Sequence, residues 1–192
     1  MSAASRRLLL VAEAAAELPA LAARRGWLLE RTVAVPDAAV VETVWRVDPS
    51  HTFHHLLSTA YGVHYCQLLG PDADALLEAV SPDLAFLTSD DAVAAFDDAQ
   101  TAHERAAITH ALGVAAGTQP DAEVTCRVSK AMRDPARSVR IAAVDAAYLT
   151  GWPTLRERVE LLGDGDPDSG VRRVADLALA QEGAWRRPEE RP

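Results

Sequence analysis

Apolar positions recur along this chain with two different periods, and the change of period divides it. Residues 3–25 carry apolar side chains at helical spacing, which predicts one amphipathic helix with Pro19 marking a kink or an early stop. After Gly26 the texture changes: residues 27–35, 40–47 and 61–69 concentrate Val, Trp, Tyr and Thr, separated by turn-forming stretches at 36–37 and 48–50. These predict short strands, antiparallel because the connections are too short for parallel crossovers. Residues 51–58 fit either a further strand or a helical turn. From Pro71 onward every segment reads as helical. Asp72 is placed to N-cap a helix over 73–80, and Pro82 and the Ser89, Asp90, Asp91 cluster start further short helices.

The helical part repeats itself. Asp134, Pro135, Val139 and Arg140 recur as Asp166, Pro167, Val171 and Arg172 at an offset of 32. Between these anchors Val139, Ala142, Ala143 and Ala146 return as Val171, Val174, Ala175 and Ala178, the spacing of one buried helix face. The preceding helices match at an offset of 31: Val124, Val128 and Ala131 return as Leu155, Val159 and Leu162. The one-residue difference falls in a turn, where insertion is cheapest. A degraded copy lies upstream, with Arg105, Ala107, Ile108 and Ala111 matching at an offset of 35, but without the aspartate and with Glu104 where valine is expected.

An aspartate in a turn followed five and six residues later by Val-Arg, here Asp134 with Val139 and Arg140, then Asp166 with Val171 and Arg172, resembles the HEAT repeat. It is similar in particular to the short bacterial form found in the HEAT-like repeats of phycobilin lyases. The resemblance covers roughly residues 85–182 and concerns architecture, not activity. It implies a mainly α protein: a short HEAT-like α-solenoid of two to three helical hairpins over residues 81–185. A small α+β N-terminal region with an antiparallel sheet precedes it at 1–80, and the charged, proline-flanked tail at 186–192 reads as disordered.

The physical chemistry of the repeat residues is structural. Asp-Pro sets a helix-capping carboxylate before a residue whose fixed φ suits a first helical turn. Arg140 and Arg172 can reach back to a turn aspartate of their own or a neighbouring repeat and brace the stack. Gly151, Trp152 and Pro153 stop one helix and start the next, with Trp152 as a wedge between repeats. Trp27 and Trp45 belong to the core of the strand region, although an exposed tryptophan would anchor an interface well.

Charge narrows the partners. The formal net charge is −9, of which residues 1–102 hold −8 and residues 103–192 hold −1. An acidic first half is a poor footprint for a phosphate backbone, which is bound mainly by counterion release. Nucleic acid would need Arg105, Arg133, Arg137, Arg140, Arg172 and Arg173 to form one basic concave face. No apolar run approaches bilayer length. Glu13 and Glu17 interrupt the signal-like start, and two distant cysteines fit a reducing compartment, so a cytoplasmic location is expected.

Candidate chemistry is sparse. His51, His54, His55 and His64, with Cys66, supply metal-ligating types, yet no familiar ligand spacing is present and His54 and His55 should face opposite sides of a strand. Asp164, Asp166 and Asp168 imitate the start of a calcium loop, but Ser169 and Ala175 stand where glycine and glutamate are required. Ser58 and His64 form a triad only on paper, without a nucleophile elbow. The expectation is therefore a non-catalytic protein-binding module without cofactor: an adaptor, an inhibitor or immunity-like protein, or an assembly subunit. Its partner would be another protein, basic by charge complementarity, and self-association is compatible with the sequence. Arg105, Arg137, Arg140, Arg172, Arg173 and Trp152 are the candidate binding residues. A HEAT-like DNA-repair protein and a tetrapyrrole-handling enzyme are the alternatives.

Overall fold

A computed structural model describes residues 6–35, 39–181 and 185. The molecule is mixed α and β, 56% helix and 20% strand, so the sheet is too large for a mainly α description. Two compact units divide the chain at Met1–Thr88 and Ser89–Pro192. The break falls after Thr88 and not after residue 80, because the segment following α2 returns to the sheet.

In the first unit, β1 (Leu8–Leu10) and α1 (Ala12–Arg24) precede a meander of β2 (Leu28–Val35), β3 (Val40–Arg46), β4 (Thr52–Ser58) and β5 (Val63–Leu69). Then come α2 (Ala73–Val80), a 3₁₀ turn (Ser81–Asp83) and β6 (Phe86–Leu87). The sheet order is β2-β3-β4-β5-β1-β6, and every neighbouring pair is antiparallel. One sheet face carries Trp45, Phe53, Cys66, Leu68, Leu8 and Leu10 into a core completed by Leu18, Leu21 and Ala22 of α1 and Leu77 and Val80 of α2. Trp27 and Trp45 both pack on Phe53, with ring centroids 5.0 and 6.1 Å away.

Several expectations change here. The helix expected over residues 3–25 begins only at Ala12, because Leu8, Leu9 and Leu10 form a strand paired on both sides, with β5 and β6. A wholly buried apolar triplet carries no period, so the sequence could not separate it from the helix that follows. Residues 1–5 of that expectation lie outside the described residues. Pro19 does not stop α1, which runs on to Arg24 with Pro19 on its exposed face. Residues 52–58 are a strand, settling the open choice there. The all-helical reading after Pro71 misses β6, two residues too short to show any pattern. Asp72 sits at the start of α2 in the left-handed region (φ 51°), and its side chain caps nothing. The backbone carbonyl of Asp72 accepts from Ala75 and Leu76 N–H instead.

The second unit is helical: α3 (Ser89–Asp98), α4 (Ala102–Ala115), α5 (Ala122–Ala131), α6 (Arg137–Thr150), α7 (Pro153–Gly165) and α8 (Ser169–Leu179). Helix α4 packs most extensively on α6, which also packs on α8; α5 neighbours both α3 and α7 in a second layer, and α8 packs chiefly on α7. Most of the face read from the repeat is buried: Val139, Ala142, Ala143, Ala146, Val171 and Ala175 are fully buried, as are Val124, Val128, Leu155 and Val159 on the alternate helices, whereas Val174, Ala178 and Leu162 of the last hairpin are only half-buried. Glu104, the apparent misfit of the upstream copy, completes a capping box with Thr101 at the start of α4. The tail at 186–192 lies outside the described residues.

Candidate functional site

The repeat residues assemble into a ladder along the second unit. Arg105 of α4 grips Asp134 with Nε and Nη2 (2.7 and 3.2 Å), while its Nη1 donates to the Gln100 carbonyl (3.0 Å). Arg140 of α6 repeats this one step on, holding Asp166 at 2.7 and 3.0 Å and donating Nη1 to the carbonyls of Asp134 and Pro135. Arg172 of α8 donates Nη1 to the Asp166 carbonyl at 2.5 Å. Arg105 and Arg140 thus each tie their own turn to the carboxylate of the next one, while Arg172 holds its own turn through the Asp166 carbonyl. The fork-to-fork geometry is what a planar guanidinium provides and a lysine does not.

The aspartates are consequently not helix caps. Asp134 accepts from the Ala136 N–H and Asp166 from the Asp168 N–H, each shaping the turn two residues ahead of itself. The cap of α6 is Ala136, which has no side-chain acceptor, and the cap of α8 is Asp168, which accepts from Gly170 and Val171 N–H. That also accounts for two carboxylates of the calcium-loop imitation. Burial pushes the Asp166 carboxyl up, but the bonds from Arg140 and Asp168 and the charges of Arg140 and Arg172 outweigh it and hold its pKa below the ordinary value. Asp134 is lowered in the same way, burial being outweighed by Arg105 and the Ala136 N–H.

The candidate binding residues are therefore unequal. Arg105 and Arg140 are occupied in bracing, and Trp152, 2% exposed, has no surface to offer a partner. Trp152 is a core residue of the helical unit, which corrects its place among the binding candidates. Arg137 is exposed with Asp168 at 3.8 Å, Arg172 is half-buried, and Arg173 is exposed.

The histidines scatter over the sheet. His51 Nδ1 meets Asp48 at 2.8 Å and its Nε2 meets the Pro71 carbonyl at 2.6 Å, so the ring is favoured in its charged form and its pKa is raised. His54 lies between Glu42 (2.7 Å) and Thr52 (2.8 Å). On the opposite sheet face His55 Nε2 and His64 Nδ1 are 3.0 Å apart, with rings parallel to within 4°. One ring must donate to the other, so both cannot be charged without breaking the bond. Among the described residues no group of three or more His, Cys, Asp or Glu side chains is arranged to hold a metal ion. Cys66 is buried, and burial pushes its thiol up to about 12. Ser58 and His64 leave opposite faces of the sheet, since Ser58 pairs with Val63, so the paper triad does not form.

The histidine pair predicts an acid limb in stability. Burial first, then the neighbouring His64, pulls His55 down to about 4, and burial lowers His64 as well. Unfolded histidine titrates near 6.5, so between roughly pH 6.5 and 4 the unfolded chain binds more protons and stability falls as pH falls. NMR titration should show His55 neutral down to about pH 4. Urea unfolding of His55→Phe should lose most of the pH slope in that window; an unchanged slope would assign it elsewhere.

A groove follows the crease between α5 and α7 in the helical unit. It has two adjoining lobes of about 560 and 1010 Å3, which share Ser129, Arg133, Asp134, Pro135 and Arg158. The repeat motif supplies Asp134, Pro135, Arg140, Asp166 and Pro167 of its lining, and Arg133 figures only in the nucleic-acid alternative; Ser129 and Arg158 carry no signal in the sequence. No protein-family model, curated protein or solved structure matches the chain.

Proposed function

We propose that this protein is a non-catalytic protein-binding module of the HEAT-like kind, acting in the cytoplasm as an adaptor, an inhibitor or immunity-like protein, or an assembly subunit. The observation that carries this reading is the edge strand β2. All eight of its residues are exposed, and among the described residues it is hydrogen-bonded on one side only, to β3. Leu28 and Leu29 are 59% and 62% exposed, and Val33 and Val35 stand out beside them. An exposed sheet edge with aliphatic side chains on both of its faces (Leu28, Val33 and Val35 on one, Leu29 on the other) is a template for a partner strand, which natural proteins usually blunt when no partner exists. Glu30, at the bulge between Leu29 and Arg31, then Arg31 and Thr32 are the polar positions of that strand.

The braced helical stack supports the same reading, since solenoids expose broad surfaces to macromolecules. No described helix is long and apolar enough to cross a membrane. Nucleic-acid binding is the weaker reading, because Arg105 and Arg140 would have to leave Asp134 and Asp166 to meet phosphates.

The test is a Leu29→Lys/Val33→Lys variant compared with wild type in affinity capture and in sedimentation. A stoichiometric partner, another protein or a second copy, should be present with wild type and lost with the variant while thermal unfolding stays within a few degrees. Identical captures and masses for the two proteins would remove β2 as the binding element.

A further inference from the structure

The groove between α5 and α7 has more positive charge than the stack uses. Its carboxylates are engaged: Asp134 with Arg105, Asp166 with Arg140, and Asp121 as the N-cap acceptor for Val124 N–H. Its cations Arg133 and Arg158 have no carboxylate partner among the described residues, and Lys130 has only the Phe96 ring, 5.5 Å from its ammonium. In a chain of net charge −9 such an unneutralised trio is unusual.

A second, independent observation lies on the wall shared by both lobes. Ser129 is 9% exposed, and its hydroxyl oxygen has no hydrogen-bond partner. A hydroxyl buried without a partner costs free energy, and a ligand group in the groove would relieve that cost. Between the cations the walls are apolar: Met132, Pro135, Leu162 and Leu161, the last 71% exposed.

We infer that this groove binds an extended peptide segment in which Asp or Glu carboxylates alternate with apolar side chains. The carboxylates meet Arg133 and Arg158, and the apolar side chains lie against Leu161 and Met132. A small enclosed ligand is disfavoured by the form of the site, an open trough along two helices and not a closed cavity. The inference rests on the protein-binding reading above and adds the chemistry of one partner segment. It also reverses locally the expectation of a basic partner drawn from net charge, because binding responds to the field at the site.

The experiment uses the full chain and a fluorescein-labelled peptide of alternating Asp and Leu, with a Lys-for-Asp counterpart, read by fluorescence anisotropy. The Asp/Leu peptide should bind, weaken with salt, and weaken at least about tenfold in Arg133→Glu/Arg158→Glu. Arg24→Glu, an exposed position of α1 outside the groove, should leave binding unchanged. Ser129→Ala should weaken binding without lowering the unfolding temperature, which a purely structural serine would not do. Equal binding of both peptides, indifference to the groove variants, or competition by inorganic phosphate as effective as the peptide itself would overturn the proposal. The Leu29→Lys/Val33→Lys variant separates the two readings. If it still binds the peptide but captures no partner, the groove stands independently of β2. Failure of the peptide with β2-dependent capture intact would sink the groove alone.

Discussion

Asp166→Ala should destabilise the protein by about 3 kcal/mol, the cost of leaving a buried arginine without its counter-charge. The Arg140–Asp166 pair is the most enclosed ion pair described, with side chains 11% and 2% exposed. Removing Asp166 strands the Arg140 Nε and Nη2 donors and also orphans the Asp168 N–H that shapes the turn into α8. Arg140→Met should cost a similar amount by leaving Asp166 unpaired. The double variant should be far less destabilised than the sum, because each single change exposes the same desolvated charge. Additive losses in urea unfolding would show that the two residues do not brace one another. The pH dependence has a definite sign. With its folded pKa depressed, Asp166 contributes stability that is full above the unfolded value near 3.9 and is lost as pH falls through the lower folded value. The penalty of Asp166→Asn should therefore shrink below about pH 4. The Arg105–Asp134 pair, 25% and 12% exposed, should show a smaller effect of the same kind.

Gly113→Val is the second large effect. Helix α4 approaches α6 so closely at Gly113 that a Cβ there would lie 2.4 Å from the Ala146 Cα and 2.8 Å from its carbonyl oxygen. Backbone cannot step aside as a side chain can, so the helices must separate along the most extensive contact of the unit. Overpacking of this kind costs about 3 kcal/mol, partly offset by the better helix propensity of valine over glycine. Gly113→Ala should be milder yet still destabilising, and Ala146→Gly should not rescue it fully because the clash is with backbone atoms. Gly165→Ala, where nothing lies within 4 Å, is the matched control and should be neutral or slightly stabilising. Thermal unfolding of these variants decides the matter: a Gly113→Val protein as stable as wild type would mean that α4 and α6 do not meet at Gly113.

Much of the local order was legible because it is written as period. Strands β2, β3 and β5 follow from their Val, Trp, Tyr and Thr content between turn signals, and the two matched helical hairpins from i, i+3, i+4, i+7 spacing, both of which are local properties. Leu8 to Leu10 and Phe86 to Leu87 were illegible for the opposite reason: a uniform triplet and a two-residue strand have no period. The brace between Arg140 and the next turn was anticipated as one of two options. The choice of the next repeat over its own required knowing that the bidentate edge of the guanidinium faces forward while Nη1 turns back.

The amino-acid sequence alone determined where the chain turns and which side chains are withdrawn from water, since these depend on local propensity and hydrophobic spacing. Only the tertiary structure decided what the polar residues do. Asp134 and Asp166 lost the capping half of their expected role and kept the ion pair, Trp152 left the binding candidates for the core, and the histidines went from one cluster to separate pairs. Arg133 and Arg158, unmarked by any motif, came together in a groove. Hydrogen bonds and charges act over a few ångströms in space, and residues 26 or 29 positions apart in the chain meet only when the helices have packed.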